Sequence, residues 1–444
     1  MDSMIYISLA GVILVHIYLF SNRGLLDPVS VFFLAFLYYS YLAPISMSIY
    51  GQYDVQLLGQ VNWITQDTID KSAILYFIGY MAYALAYYTL SKNDNFESYV
   101  VQNNAFNFLL KDSYARIILV FVSVTIGIIT IFFRDDLLAS TESYEGKIAG
   151  NYTASGYAFL INSALTLLSL LSNYLILNLR RHTLAAFLFI VMFCVIAVLT
   201  FSKAPFIYAA LCAFCSLYRY KRVPFWVTLS VLVAGTLIST VFFIPAFSIY
   251  RGSGEFILAV PDADALSLVL SEASGPFAIM HLALNGYVSV DDHPLWHSFV
   301  LWAPRALWAD RPLDIAEGFA QQVIVGWQAG FGLGFSPFAE GFARYGTAGS
   351  ALFMAMVGSV TALLQTALSR FVPKPVRIPT MLTIGGIVSV LVLRGAFSGL
   401  ITQGIQNWVP VIIVSAIAAE ISRRGMVNSL GEAGRPLLKS STLS

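Results

Sequence analysis

Apolar runs of roughly 20 residues recur along almost the whole of this chain, and they leave it few ways to fold. A bilayer core is crossed by about 20 apolar residues of helix. Inside it, every backbone N–H and C=O must find its partner within the chain. Eleven runs approach that length: 4–20, 28–50, 70–91, 115–133, 156–179, 183–201, 204–218, 224–250, 346–369, 377–397 and 401–422. Only 11% of the residues are charged and the mean hydropathy is +0.75, whereas a soluble domain carries about 25% charged residues. The expected fold is an all-α polytopic membrane protein. Residues 1–250 hold eight spans, 251–345 one large loop, 346–422 three more spans and 423–444 a tail. The sixth and seventh runs are separated only by Ser202, Lys203, Ala204 and Pro205. The first run starts at Met4 with no basic stretch before it, so it reads as a span and not as a cleaved signal peptide.

Lys and Arg near the span ends set the orientation. One alternate set of loops holds sixteen of the 25 basic residues, among them Arg180, Arg181, Arg219, Lys221, Arg222, Arg423 and Arg424. That side is expected to be cytoplasmic, with the C-terminus inside and the N-terminus and the 251–345 segment outside. Nine basic residues remain on the outer side: Lys71, Arg134, Lys147, Lys203, Arg251, Arg305, Arg311, Arg344 and Arg394. These run against the bias, so they call for another reason. Each alone is explained by a snorkelling or salt-bridged side chain; the set together points to a shared anionic ligand. A formal net charge of +1 gives no reason to expect nucleic acid.

The 251–345 segment is the part that is neither span nor tail. It carries ten of the 24 acidic residues, three of the five His and four of the seven Trp. Its apolar stretches, Ala265–Leu270, Pro276–Leu284 and Ser298–Trp302, are too short to cross and read as interfacial or re-entrant helices. Asp262 and Asp264 suit a helix N-terminus. Arg305 and Arg311 flank Trp308 and Asp310 between Pro304 and Pro312. Arginine presents a planar fork of donors that matches phosphate oxygens. Arg305 and Arg311, with Arg251, Arg344, Lys203 and Arg394, could therefore converge on one diphosphate. The competing reading is a structural clasp with Asp310, Asp314 or Glu317. Glu340 and Arg344 are spaced as a helical i,i+4 ion pair. Trp296, Trp302, Trp308 and Trp327 suit either interface anchoring or sugar stacking. The glycines from Gly330 to Gly334 open no nucleotide fold. His281, His293 and His297 lack a supporting metal-ligand pattern, and Cys212 and Cys215 lie within an apolar run where packing is the expected role. No cofactor and no metal are expected.

Pro304, Arg305, Leu307, Trp308, Asp310, Arg311 and Pro312 together resemble a Pro-Arg-x-x-Trp-Pro-x-Lys-Pro outer-loop pattern. That pattern belongs to the Wzy-type oligosaccharide repeat-unit polymerases of O-antigen and exopolysaccharide assembly. Ala309 stands where the pattern has Pro, and Arg311 where it has Lys. Ser336, Glu340, Gly341 and Tyr345 resemble the family's Glu-containing return to the membrane, and Thr200 to Lys203 resemble its Ser-Arg-Gly turn, with Lys203 for Arg and Ala204 for Gly. The resemblance implies a GT-C-like helical bundle in the bacterial inner membrane. It implies a metal-independent glycosyl transfer at the periplasmic face, from one undecaprenyl-pyrophosphate-linked oligosaccharide to another. Undecaprenyl pyrophosphate leaves. Arg305, Arg311, Arg251, Lys203, Arg344 and Arg394 are the expected diphosphate ligands. Glu340, Asp310, Glu317 and His297, in that order, are candidates for the base. Partners would be the lipid-linked donor and acceptor and membrane lipid, with room for a chain-length regulator protein. An O-antigen ligase uses the same chemistry. A flippase is the alternative from another class, but residues 1–220 contain no counterpart to the long outer segment, as inverted repeats would require.

Overall fold

The computed structural model describes residues 3–20, 27–50, 54–57, 60–91, 112–135, 137–138, 155–179, 181–199, 204–219, 275–301, 303, 308, 310–323, 334–371 and 374–433. The helices among them, in chain order, are α1 (Ser3–Phe20), α2 (Pro28–Phe36), α3 (Leu42–Tyr50), α4 (Gln66–Leu90), α5 (Ser113–Phe132), α6 (Ser155–Asn178) and α7 (His182–Leu199). Then come α8 (Ala204–Arg219), α9 (Gly275–Leu284), α10 (Ile315–Val323), α11 (Pro337–Phe371), α12 (Lys374–Arg394) and α13 (Phe397–Ala433). A π turn, Leu37–Tyr41, joins α2 to α3 as one rod. Seven stretches are long and apolar enough to cross a membrane: Pro28–Ile49, Gln66–Leu90, Ser113–Phe132, Phe159–Asn178, His182–Leu199, Pro337–Leu368 and Phe397–Ile421. The chain is thus an α-helical multi-pass membrane protein. Met4–Phe20 and Pro205–Leu217 are shorter apolar helices, and the expected 377–397 run is α12. The expected 224–250 span lies outside the described residues.

Short polar residues start these helices. Asp27 accepts from the N–H of Val29 (3.0 Å) with Pro28 at the first helical position, Thr65 accepts from Thr68, and Asp112 accepts from Tyr114 (2.9 Å). Each satisfies a donor that the helix itself leaves open. Between α3 and α4 sits an antiparallel hairpin, β1 (Asp54–Leu57) and β2 (Gln60–Trp63), which the run of spans did not anticipate.

The core is built around α4. Tyr76, Tyr80, Tyr83 and Tyr87 recur at helical spacing on one face, and all four are buried. Phe32 stacks on Tyr83 at 3.9 Å between ring centroids, and Phe36 lies 5.0 Å from Tyr80. The same helix takes α11 at backbone distance, with Phe338 edge-on to Tyr76. A β-carbon on Gly358 would collide with the carbonyl oxygen of Tyr83, and one on Gly79 with the ring of Phe338. Small residues at a helix crossing allow this approach where lipid gives no hydrophobic drive.

Hydrogen bonds between helix ends sort the bundle into two ends. At one, His281 of α9 meets Thr68 near the start of α4 (3.3 Å), and Glu340 meets the first N–H of α13 (2.6 Å). At the other, the Tyr87 hydroxyl near the end of α4 donates to Asp27 at the start of α2 (2.7 Å) and contacts Gln365 late in α11. There too Tyr174 of α6 donates to Asp112 at the start of α5 (2.6 Å). Starts and ends alternate as consecutive crossings require. The α9 helix is more enclosed than an interfacial helix would be: Phe277, Ala278, Ile279 and Met280 are all buried in the main core. Ala265–Leu270, with Asp262 and Asp264, lies outside the described residues.

Candidate functional site

The expected span at 346 begins earlier and differently. The helix starts at Pro337, with Ser336 accepting from the N–H of Ala339 (3.2 Å). It breaks at Tyr345 (φ −143°, ψ 19°) and Gly346 (φ 64°, ψ −153°). The positive φ at Gly346 is one that glycine adopts without penalty. Beyond the break the chain doubles back on itself. Ser350 donates to the carbonyl of Phe338 (2.7 Å), and Gly341 and Gly349 meet backbone to backbone with no room for a β-carbon on either. A short arm, 337–344, therefore lies against the start of the long helix.

That arm carries Glu340 and Arg344 one turn apart. Glu340 is fully buried. Its Oε1 accepts from Arg344 Nε and faces Nη2, both at 2.9 Å. Its Oε2 accepts from the backbone N–H of Phe397 (2.6 Å), at the N-terminus of α13, where a negative charge is favoured. Arg344 Nη1 donates to the carbonyl of His293 (2.6 Å). One ion pair thus joins the arm, α13 and the loop that carries His293.

The described residues between 285 and 314 reach this pair through the His293 carbonyl. The His293 ring rests on the bare α-carbon of Gly318 in α10, where a β-carbon would overlap Nε2 and Cε1. Asp314 caps α10 by accepting from the N–H of Glu317 (2.6 Å). Burial raises its pKa, opposed by the N–H groups of Glu317 and Ala316 and by the charges of His293 and Arg311. His297 sits in a 3-10 turn, Leu295–Phe299, its ring edge-on to Trp296 at 4.3 Å. Burial lowers its pKa, helped by repulsion from His293 and Arg344. The Nδ1 atoms of His293 and His297 are both buried and without a hydrogen-bond partner.

Three expected site residues therefore come together: Glu340 and Arg344 as a pair, with His297 within reach of the Arg344 charge. Arg311 works locally as a clasp, donating from Nη1 to the carbonyls of Leu301 and Ala303 (2.9 Å to the latter). Its charge also acts on Asp314, one of the acids weighed for the clasp. Asp310 is exposed, and Glu317 lies in the first turn of α10. Arg394 ends α12, exposed, with its stem beside Gly334. Lys71, another of the cations expected on the outer side, pairs with Asp67 (2.6 Å). Arg251, Arg305 and Lys203 lie outside the described residues. His293 and Asp314 are the residues that spacing alone undervalued; their placement depends on Gly318 and the α10 cap. His281 is held apart by Thr68 and Asn285, and among the described residues no three His, Cys, Asp or Glu side chains gather as a metal set. Cys212 contacts the Ser172 hydroxyl (3.3 Å) and is buried with Cys215.

No protein-family model, no curated protein and no solved structure matches the chain.

The lowered pKa of His297 carries a sign. The unfolded chain takes up a proton there more readily than the folded one, so acidification through the usual His range favours unfolding. His297→Gln is expected to lessen the loss of melting temperature between about pH 7.5 and about pH 5.5. Identical pH slopes for the two proteins would remove His297 from this account.

Proposed function

We propose that this chain is a Wzy-type polymerase of undecaprenyl-pyrophosphate-linked oligosaccharide repeat units. It would span the bacterial inner membrane eleven times, with residues 251–345 on the periplasmic face. The observation that carries the reading is the buried Glu340–Arg344 pair on a re-entrant arm, under a loop that includes the Arg311 end of the Pro304–Pro312 motif. That is where the resemblance expects the charges, at one end of the bundle.

The transfer would run as follows. A base removes the proton of the acceptor hydroxyl, whose oxygen then bonds to the anomeric carbon of the donor sugar. The bond from that carbon to the diphosphate oxygen breaks, and the electron pair leaves on undecaprenyl pyrophosphate. Cations are required where that charge develops, and Arg305, Arg344 and the outer cations supply them. Both oxygens of Glu340 are already engaged by Arg344 and Phe397. Asp310, an exposed carboxylate beside Arg311, is better placed to accept a proton.

The test is a glycan ladder. The gene is deleted in its host and surface polysaccharide is separated by size. The deletion is complemented with wild type, Arg305→Ala and Asp310→Asn. The expected result is loss of the ladder with single repeats still attached, restored by wild type and by neither variant at equal protein level. Loss of attached glycan with lipid-linked polymer accumulating would mean a ligase. Single lipid-linked units retained inside would mean a flippase.

A further inference from the structure

His293 and His297 have no role in the transfer as written, yet each holds a buried ring nitrogen without a partner. A buried polar atom left unpaired is destabilising, so such an atom points to something that completes it. Three observations narrow what that is. The two rings lie close enough for His293 to depress the pKa of His297, and Arg344 does the same from α11. Arg344 has five N–H groups, of which three are directed at Glu340 and the His293 carbonyl, leaving one on each terminal nitrogen. The His293 ring is seated on Gly318, nine-tenths buried, so its position is set before any ligand arrives.

Without a ligand, burial and the charges of His293 and Arg344 disfavour a proton on His297. An oxyanion placed among them reverses that balance, because both ring nitrogens can then donate to it as imidazolium. We propose that His293, His297 and Arg344 form a proton-linked anion site, taking phosphoryl oxygens of a diphosphate and binding a proton as the anion enters. The inference rests on the polymerase reading for its ligand and adds what that reading lacks: a pH dependence of leaving-group binding. The charged groups around the pair are Asp314 and Arg311 from the α10 side and Glu340 and Arg344 from the α11 arm. Glu340 is already paired with Arg344.

The experiment uses the full-length protein in detergent or in lipid nanodiscs. The probes are inorganic pyrophosphate and, separately, vesicles with and without a polyprenyl diphosphate. Dissociation constants are measured at about pH 7.5 and about pH 5.5 for wild type and for His293→Gln/His297→Gln. Protonation of the probe itself is common to both proteins and drops out of the comparison. Each proton taken up on binding adds up to about tenfold in affinity per pH unit. Wild type is therefore expected to tighten on acidification by about tenfold or more beyond the double variant. Gly318→Ala keeps both histidines but displaces the His293 ring, and is expected to lose part of that excess while melting as a folded protein. Binding of pyrophosphate supports the site with the free anion sufficient. Binding only of the vesicles that carry the polyprenyl diphosphate supports it as a lipid-headgroup site. Equal pH dependence in wild type and double variant overturns it, as does failure to bind either probe. A host that keeps its ladder when the gene is deleted, with His-dependent pyrophosphate binding intact, would end the polymerase reading and leave the anion site standing. The converse would end the anion site alone.

Discussion

Glu340→Ala is expected to destabilise the protein by about 3–5 kcal/mol, because it leaves Arg344 a buried cation without its counter-charge. The carboxylate does three things at once. It holds Arg344, accepts from the first N–H of α13, and through Arg344 fixes the His293 carbonyl. The double variant Glu340→Ala/Arg344→Met removes both charges and should recover much of the loss, since a buried pair replaced by apolar groups is often neutral in cost. Unfolding in mixed detergent micelles measures both. On the proposed polymerase reading, polymer formation fails in both, because the loop that carries His293 loses its anchor either way. A single variant as stable as wild type would mean that the pair is open to water and that the short arm is no part of the packed core.

The second large effect sets one substitution against itself. Gly358→Ala is expected to destabilise, by about 1–3 kcal/mol or more, because the added carbon meets the backbone carbonyl of Tyr83 and no side-chain rotation can relieve it. The helices α4 and α11 must part, and they are the most extensively packed pair among the described residues. Gly127→Ala in α5 meets nothing within 4 Å. It should leave stability unchanged or raise it, by up to about 1 kcal/mol, as expected for glycine replaced in a helix interior. Both are read as the fraction of folded protein across a heating series. The same sign at both positions would show that the close approach at Gly358 is not a packing constraint.

Much of the frame was legible because a bilayer imposes one length on every span and tolerates few charges within it. The short arm was harder to read. The i,i+4 spacing of Glu340 and Arg344 is legible as a helical ion pair, but two charges at the membrane boundary set the expected span to begin after them, at 346, and the helix begins at Pro337. Gly341, Gly346 and Gly349 were visible signs of a tight fold-back, but their meaning depends on two segments facing each other. The β hairpin was legible and passed over: Asp54, Val55, Gln56 and Leu57 alternate, as do Gln60, Val61, Asn62 and Trp63. Its register sets Val55 opposite Asn62 and Gln56 opposite Val61, so neither face is purely apolar. Asp27 reads as a loop acid before a span, yet it is buried and bound by a hydroxyl from α4. The seating of His293 on Gly318 joins residues of a loop and a helix with no local pattern to announce it. Such contacts follow from the whole packing and from no window of sequence.

The Asp27–Tyr87–Gln365 contact has a consequence for how the protein is made. Tyr87 and Gln365 are 278 positions apart, so at about 5–20 residues per second the ribosome needs roughly 15–55 s to deliver the second after the first. Through that interval α2 and α4 already lie in the membrane with a tyrosine hydroxyl in need of a partner. Asp27, 60 positions away, arrives before Tyr87 and can hold it from the moment α4 inserts. The early helices can wait as a closed pair, with Gly79 of α4 kept for a helix still to be translated.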